Sequence, residues 1–335
     1  MTNLQKTLYM NTARKLLFVT SLCLTWCIRT DAQSVKYDSD GKLKIVQFTD
    51  VHWVAGNPDT AAAAANMNRV LDEEKPDLVI YTGDITTGKP AAEGLDKALE
   101  PVISRDIPYA VTFGNHDDEQ DLTRHQLYDY IKSKAGCLNG ETGGTDFAIT
   151  VTSADGGEIE AVLYVMDSNA YSTIEGLEGY GWFRYDQIDW FINKSNELTA
   201  ANGGTPLPAL AFFHIPFPEY NEAASAESNP LIGQRGEKAC APAVNTGMFA
   251  AMLRSGSIMG TFVGHDHVNN YVTPWHGILL CYGQFTGGKT TYTDGKNGAR
   301  VIELSEGQRG FKTWIRMGDG SVVNVVSWPE DFSKK

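Results

Sequence analysis

Five short polar blocks stand in a fixed order along the 335-residue chain, each closing an apolar run: Asp50-Val51-His52, Gly83-Asp84, Gly114-Asn115-His116-Asp117, His214, and Gly264-His265-Asp266-His267. They contain five of the seven histidines. A metal ligand needs a lone pair, a defined direction and little freedom to wander, and strand ends supply the last two. Asp50 and His52, two apart on an extended segment, point the same way, so both can reach one cation. Asp84, on a tight turn after Gly83, offers two carboxylate oxygens suited to a bridge. Asn115 adds a neutral amide oxygen of the kind hard cations accept. His265 and His267 are again two apart and can divide between two cations. The set suffices to hold two divalent metals about 3.5–4 Å apart and still leave an acid for a departing group. That is the chemistry of a two-metal phosphoesterase.

The elements that must position these blocks are legible around them. Residues 43–49 alternate as a strand ending at Asp50, and 60–74, Ala-rich, read as a helix before Pro76. A buried strand over 78–82 ends at Gly83-Asp84; a helix over 90–104 leads to a strand over 109–113, which ends at Gly114. This rhythm implies parallel strands joined by helical crossovers, whose ligand site lies beyond the carboxyl ends of the strands. After a helix over 122–133 the texture changes to a hairpin over 147–152 and 158–167, then a helix over 187–198. A strand over 209–213 delivers His214, and one over 258–263, after a helix over 245–254, delivers Gly264–His267. Between them, 216–244 reads as a long loop at the surface or over substrate. Strands and turns fill the remainder, at 278–282, 300–304, 312–316 and 322–326.

Taken singly the blocks are weak signals. Asp-x-His recurs by chance, Gly-Asp is a common turn, and His214 alone would read as a core histidine. Gly-Asn-His-Asp is sharper, since four small or polar residues after an apolar strand serve no packing purpose. It is the five together, in this order and at strand ends, that a purely structural reading fails to explain.

The blocks resemble the five signature motifs of calcineurin-like metallophosphoesterases, from Asp50 to His267. The resemblance implies an α/β fold, a four-layer α/β/β/α sandwich with a dinuclear centre at its rim. Carried over by motif, the first metal takes Asp50, His52, Asp84 and His267, and the second Asp84, Asn115, His214 and His265. His116 would be the acid near substrate, oriented by Asp117. The wording around His214 (Phe212-Phe213-His214-Ile215-Pro216-Phe217-Pro218-Glu219-Tyr220) and around Gly264-His265-Asp266-His267-Val268-Asn269 is similar to a branch labelled purple acid phosphatase-like. Purple enzymes place a ferric-ligand tyrosine three residues after the second-motif aspartate. Here that place is Thr87, and His52 stands where they have Gly, so a colourless centre of Mn, Fe(II) or Zn is expected. The charges then suggest a mechanism: the metals acidify a bound water, hydroxide attacks phosphorus in line, and His116 protonates the leaving oxygen. A monoesterase is the leading expectation. A phosphodiesterase on the same site, for cyclic nucleotides, glycerophosphodiesters or nucleotide sugars, is the alternative, and a non-catalytic secreted metal-binding protein a third.

Composition narrows the partners. A net charge of −13 and an isoelectric point near 5.0 argue against obligate nucleic acid, which would demand a basic patch. A small phosphorylated substrate remains compatible, because two cations would dominate the local field. Arg14 and Lys15, the apolar stretch 16–28 and Ala32 match a secretory signal over 1–32, ahead of one domain over 33–335. The stretch is short of a membrane span, so the protein is expected in the periplasm or outside the cell, with a lipid-anchored form as the alternative. Translation starts at Met1 or Met10. Cys137, Cys240 and Cys281 then remain, enough for one disulfide but not a disulfide scaffold. Substrate-shell candidates are Asp118, Tyr220, Arg235 and Lys289. Tyr180-Gly181-Trp182-Phe183 reads as packed core more readily than as a lid. Gly283–Thr290 satisfies a Walker A pattern, but the turn-like residues after it lack the helix that phosphate cradling demands.

Overall fold

A computed structural model describes residues 34–140 and 145–333; the expected signal over 1–32 lies outside them. In chain order the strands are β1 Ser34–Lys36, β2 Lys42–Phe48, β3 Leu78–Thr82, β4 Tyr109–Thr112, β5 Phe147–Thr152, β6 Ile159–Val165, β7 Ala209–Phe212, β8 Ile258–Val263, β9 Val272–Trp275, β10 Ile278–Tyr282, β11 Gly298–Ser305, β12 Phe311–Met317 and β13 Val322–Trp328. They form a seven-stranded sheet, β1-β5-β6-β7-β8-β10-β9, and a six-stranded sheet, β13-β12-β11-β2-β3-β4. Within the second, β2, β3 and β4 are parallel neighbours; within the first, β6, β7, β8 and β10 are. All five polar blocks follow strands of these two parallel groups.

The strand alternation explains the layering. On β2, Leu43 and Ile45 point inward to meet Leu163, Leu210, Phe212 and Phe262 of the other sheet, while Val46 and Phe48 point outward. The outward face packs on the helices Ala61–Glu74, Ala91–Ile103 and Arg124–Lys132 through Met67, Leu95 and Leu127. On the far side, Val162, Tyr164 and Ala211 pack on Tyr185–Ala201, Glu219–Ser225 and Met248–Ser255. The central strands β3, β4, β7 and β8 are therefore buried on both faces, which is why their runs look continuously apolar rather than alternating. Two sheets between two helix layers give a mixed α/β fold. Burying a Phe such as Phe212, stacked on Phe262 across 5.1 Å, contributes about 2–3 kcal/mol.

Differences from the sequence expectation are local. The long loop at 216–244 contains the helix Glu219–Ser225, and β1 and β9 are additional strands. Cys137, Cys240 and Cys281 are each free thiols, so the disulfide that the cysteine count allowed does not form. No helix follows the Walker-like segment, which runs through turns into β11.

Polar ties lock the sheets together near the site. Gln47 Nε2 donates to Thr82 Oγ1 on its own sheet and to the Val263 carbonyl on the other. Thr112 donates to the Met166 carbonyl. Arg300, fully buried, donates to the carbonyls of Tyr282 and Asn270 and to Thr313.

Candidate metal centre

Beyond the strand ends the backbone ladder continues through the blocks themselves. Asp50 N–H donates to the Gly83 carbonyl and His52 N–H to the Asp84 carbonyl, at 3.0 and 2.9 Å. Gly264 N–H donates to the His214 carbonyl, and His265 N–H to the Asp50 carboxylate across the sheets. To turn the side chains inward, Asp50, His52, Asp84 and His265 take φ values of 55, 47, 50 and 80°, in the left-handed region. Outside glycine this costs about 1–2 kcal/mol per residue and marks functional strain when the surroundings enforce it. Gly83, Gly114 and Gly264 give the ligands room: a methyl group on Gly264 would lie 2.6 Å from the Asp50 carboxylate.

Two donor groups result, sharing Asp84. Asp50, His52, Asp84 and His267 form one and Asp84, His214 and His265 the other, with donor atoms in each within 4.8 Å of one another. His214 Nε2 lies 3.2 Å and His52 Nε2 3.6 Å from Asp84 Oδ2. His267 Nε2 lies 3.5 Å from Asp50 Oδ1 and 3.1 Å from His52 Nε2. Second partners fix the tautomers. His214 Nδ1 donates to the Thr82 carbonyl and His267 Nδ1 to the Tyr292 carbonyl, so both rings present Nε2 as the free donor.

The chemistry of this cluster fits a pair of cations. Asn115 Oδ1, His214 Nε2 and His265 Nε2 are buried with no hydrogen-bond partner, a costly condition for polar atoms unless an ion satisfies them. Asn115 Nδ2 is spent on the Tyr171 hydroxyl, which leaves its oxygen for the centre. Burial holds His52 down to about 4 and His265 down to about 3, so both are neutral near pH 7, as ligands must be. Burial also opposes charge on Asp84, but His214 outweighs it and keeps the carboxyl well below its usual range. For His214 burial is likewise outweighed, here by Asp84, and its value rises to about 9 without a cation.

The remaining candidates separate. His116 is 40% exposed, its ring 5.7 Å from that of His52, and its backbone N–H donates to Asp84 Oδ1. Its orientation by Asp117 is corrected: the Asp117 carboxylate is fully buried and accepts from the N–H groups of Asp84, Ile85, Thr86 and Gly114. His116 Nδ1 meets Glu119 instead, at 2.7 Å. Tyr220 is also corrected, from substrate shell to core, with its hydroxyl bonded to Thr261. Arg235 caps the helix Glu219–Ser225 by donating to the Ala224 carbonyl, and Asp118 pairs with Arg124, so neither side chain is turned to the cluster. Lys289 is exposed on a loop whose Thr290 hydroxyl donates to the His52 carbonyl.

Two aromatic residues, one read from sequence as core and one not singled out, line the donor groups. Tyr180 stands edge-on to His265 at 4.3 Å, and Tyr292 stacks on His267 at 4.2 Å. Of the expected core segment, Phe183 is buried as anticipated, but Tyr180 belongs to the centre.

Comparison with known proteins agrees with this geometry. The family description calcineurin-like phosphoesterase matches residues 43–269. The chain is 31% identical to the "Probable inactive purple acid phosphatase 29" of Arabidopsis thaliana, over 93% of each chain. It is 33% identical to the phosphatase DCR2 of Saccharomyces cerevisiae, over 90% of this chain and 58% of that protein. Among solved structures, a dimetal phosphatase from Danio rerio superposes with a TM-score of 0.58 at 12% identity, covering 85% of this chain and 98% of that one, a likeness of fold.

Proposed function

The chain belongs to the calcineurin-like phosphoesterases, and from that premise we propose that it is a phosphatase, hydrolysing phosphate monoesters on a pair of divalent cations. The observation that carries the proposal is the double donor set joined at Asp84, with unpartnered buried atoms on Asn115, His214 and His265. Asp50, His52, Asp84 and His267 would hold one cation. Asp84, Asn115, His214 and His265 would hold the other, as Mn, Fe or Zn. So loaded, the centre supplies a nucleophile at neutral pH and offsets the charge that builds on the phosphoryl oxygens.

The chain's own part is orientation and proton delivery. The left-handed ligand backbones and the Nδ1–H bonds of His214 and His267 keep the donors convergent. His116, partly exposed beside His52, gives its Nε2 proton to the leaving oxygen as the P–O bond breaks, a contribution of about 10²–10⁴-fold. The Arabidopsis relative's name carries the word inactive and the yeast relative's the word phosphatase. A full donor set with His116 in place favours the second. Residues 1–32 support an exported protein, periplasmic or extracellular, and no described helix is long and apolar enough to cross a membrane. Small phosphorylated molecules suit the acidic chain better than nucleic acid.

Protein stripped by a chelator and reloaded with Mn, Fe(II) or Zn should turn over nitrophenyl phosphate faster than bis-nitrophenyl phosphate. A preference for the diester would reassign it as a phosphodiesterase. No turnover of either ester with any of the three metals would refute the proposal.

A further inference from the structure

A chain of hydrogen bonds runs outward from the centre, from Asn115 through Tyr171 and Glu119 to His116. Asn115 Nδ2 donates to the Tyr171 hydroxyl at 3.1 Å, and that hydroxyl donates to Glu119 Oε1 at 2.7 Å. The second oxygen, Glu119 Oε2, meets His116 Nδ1 at 2.7 Å. Directions follow from the donor inventory. A carboxylate only accepts, so Tyr171 and His116 must both donate to it, and the Tyr171 oxygen is left to accept from Asn115. His116 therefore carries hydrogen on Nδ1, and Nε2 is the nitrogen left to face substrate.

We infer that Glu119, held in place by Tyr171, is the positioning residue of the proton-donating histidine, and that Tyr171 joins this device to the loop over the second donor group. The inference rests on the proposed role of His116. Glu119 and His116 are each 40% exposed, where an ion pair contributes at most about 1 kcal/mol to stability. Stability therefore gives little reason for the arrangement. Orientation gives a better one: one short bond limits rotation of the imidazole, and the 116–119 turn, closed by Glu119 N–H on the His116 carbonyl, limits the rest. When the P–O bond breaks, its electron pair goes to the leaving oxygen, which takes the Nε2 proton. His116 is left neutral with Nδ1–H still on Glu119, and Glu119 gains no proton.

Tyr171 has a second attachment. It pairs with Tyr180 across a narrow hairpin, closed by Ser172 N–H on the Gly179 carbonyl and Gly181 N–H on the Ala170 carbonyl. The two rings stack at 5.9 Å, and Tyr180 leans on His265. One loop thus touches a ligand ring, a ligand amide and the partner of the acid.

The test compares Glu119→Gln, Tyr171→Phe and His116→Ala on nitrophenyl phosphate, whose good leaving group needs little protonation, and on an alkyl phosphate, which needs it most. Glu119→Gln and Tyr171→Phe should each lower kcat for the alkyl ester by ~10–100-fold, part of the full general-acid effect. Glu119→Gln, which touches no metal-holding side chain, should leave nitrophenyl phosphate within about threefold, with KM and metal content unchanged. Glu119→Asp should recover part of the alkyl activity. A His116→Ala variant that discriminates between the esters, beside a Glu119→Gln variant that does not, overturns the positioning role alone. Equal loss on both esters in His116→Ala overturns the acid, and the positioning role with it.

Discussion

A methyl group built on Gly114 would overlap the Asp84 carboxylate and sit 2.7 Å from His214 Nε2, so this glycine is kept for space beside the shared ligand. Gly114→Ala should therefore lose at least one bound metal per chain along with turnover. Metal analysis after gel filtration checks it, and full occupancy would contradict the steric argument. The clustered donor residues were legible because polar side chains closing apolar strands stand out in one dimension. Glu119 and Tyr171 were not, since 52 residues separate them and only the hairpin brings them together. Asp117 misled by adjacency: after a strand end the chain turns sharply, and neighbouring side chains diverge. Tyr220 misled through its place after the His214 block, although its hydroxyl is spent on Thr261 inside the core.

Between elements, Asp117 does the joining. Its carboxylate gathers N–H groups that follow β3 and one that follows β4, so the turns carrying Asp84 and Asn115 share one acceptor. Asp117→Ala would strand those buried donors and should cost about 2–4 kcal/mol of stability, read from urea unfolding, with metal affinity weakened in the same variant. Unchanged stability would show that water replaces the carboxylate. Strand order along the chain was readable because the parallel crossovers repeat a strand–helix rhythm. The exceptions have physical reasons. β1 spans three residues, too few for a pattern, and β9 carries Pro274, which speaks against a strand unless it lies at a sheet edge, as β9 does. The helix Glu219–Ser225 is barely two turns and follows Pro216 and Pro218, whose signal is that of a loop.

At the scale of the whole molecule, the layers could be inferred only from the family resemblance, since strands buried on both faces do not reveal which face meets a helix. Loading the centre should raise the melting temperature, because cations bind the folded donors alone; at a hundredfold excess over Kd the gain is about 2.7 kcal/mol. Calorimetry with and without chelator checks it, and superimposable transitions would mean the donors are not filled. Acidity acts elsewhere. Burial pushes Asp146 from 3.8 up to about 7. Between those values the folded chain holds a proton that the unfolded chain has released, so this group's contribution to stability declines as pH rises from 4 to 7. Asp146→Asn should flatten that slope, measured as urea midpoints across the interval; an unaltered slope would place its origin in other groups.

The donors come from both sheets: β2, β3 and β4 lead to Asp50, His52, Asp84 and Asn115, and β7 and β8 to His214, His265 and His267. Cations held there would act as rivets across the seam. With both seated, the halves of the sandwich could not breathe apart at that rim without tearing several coordinate bonds at once, and amide hydrogens near Gln47 and Val263 would exchange only when the entire protein opens. Discarding a ligand to abolish turnover would then also unfasten the architecture, so catalysis and cohesion would be inherited as one trait.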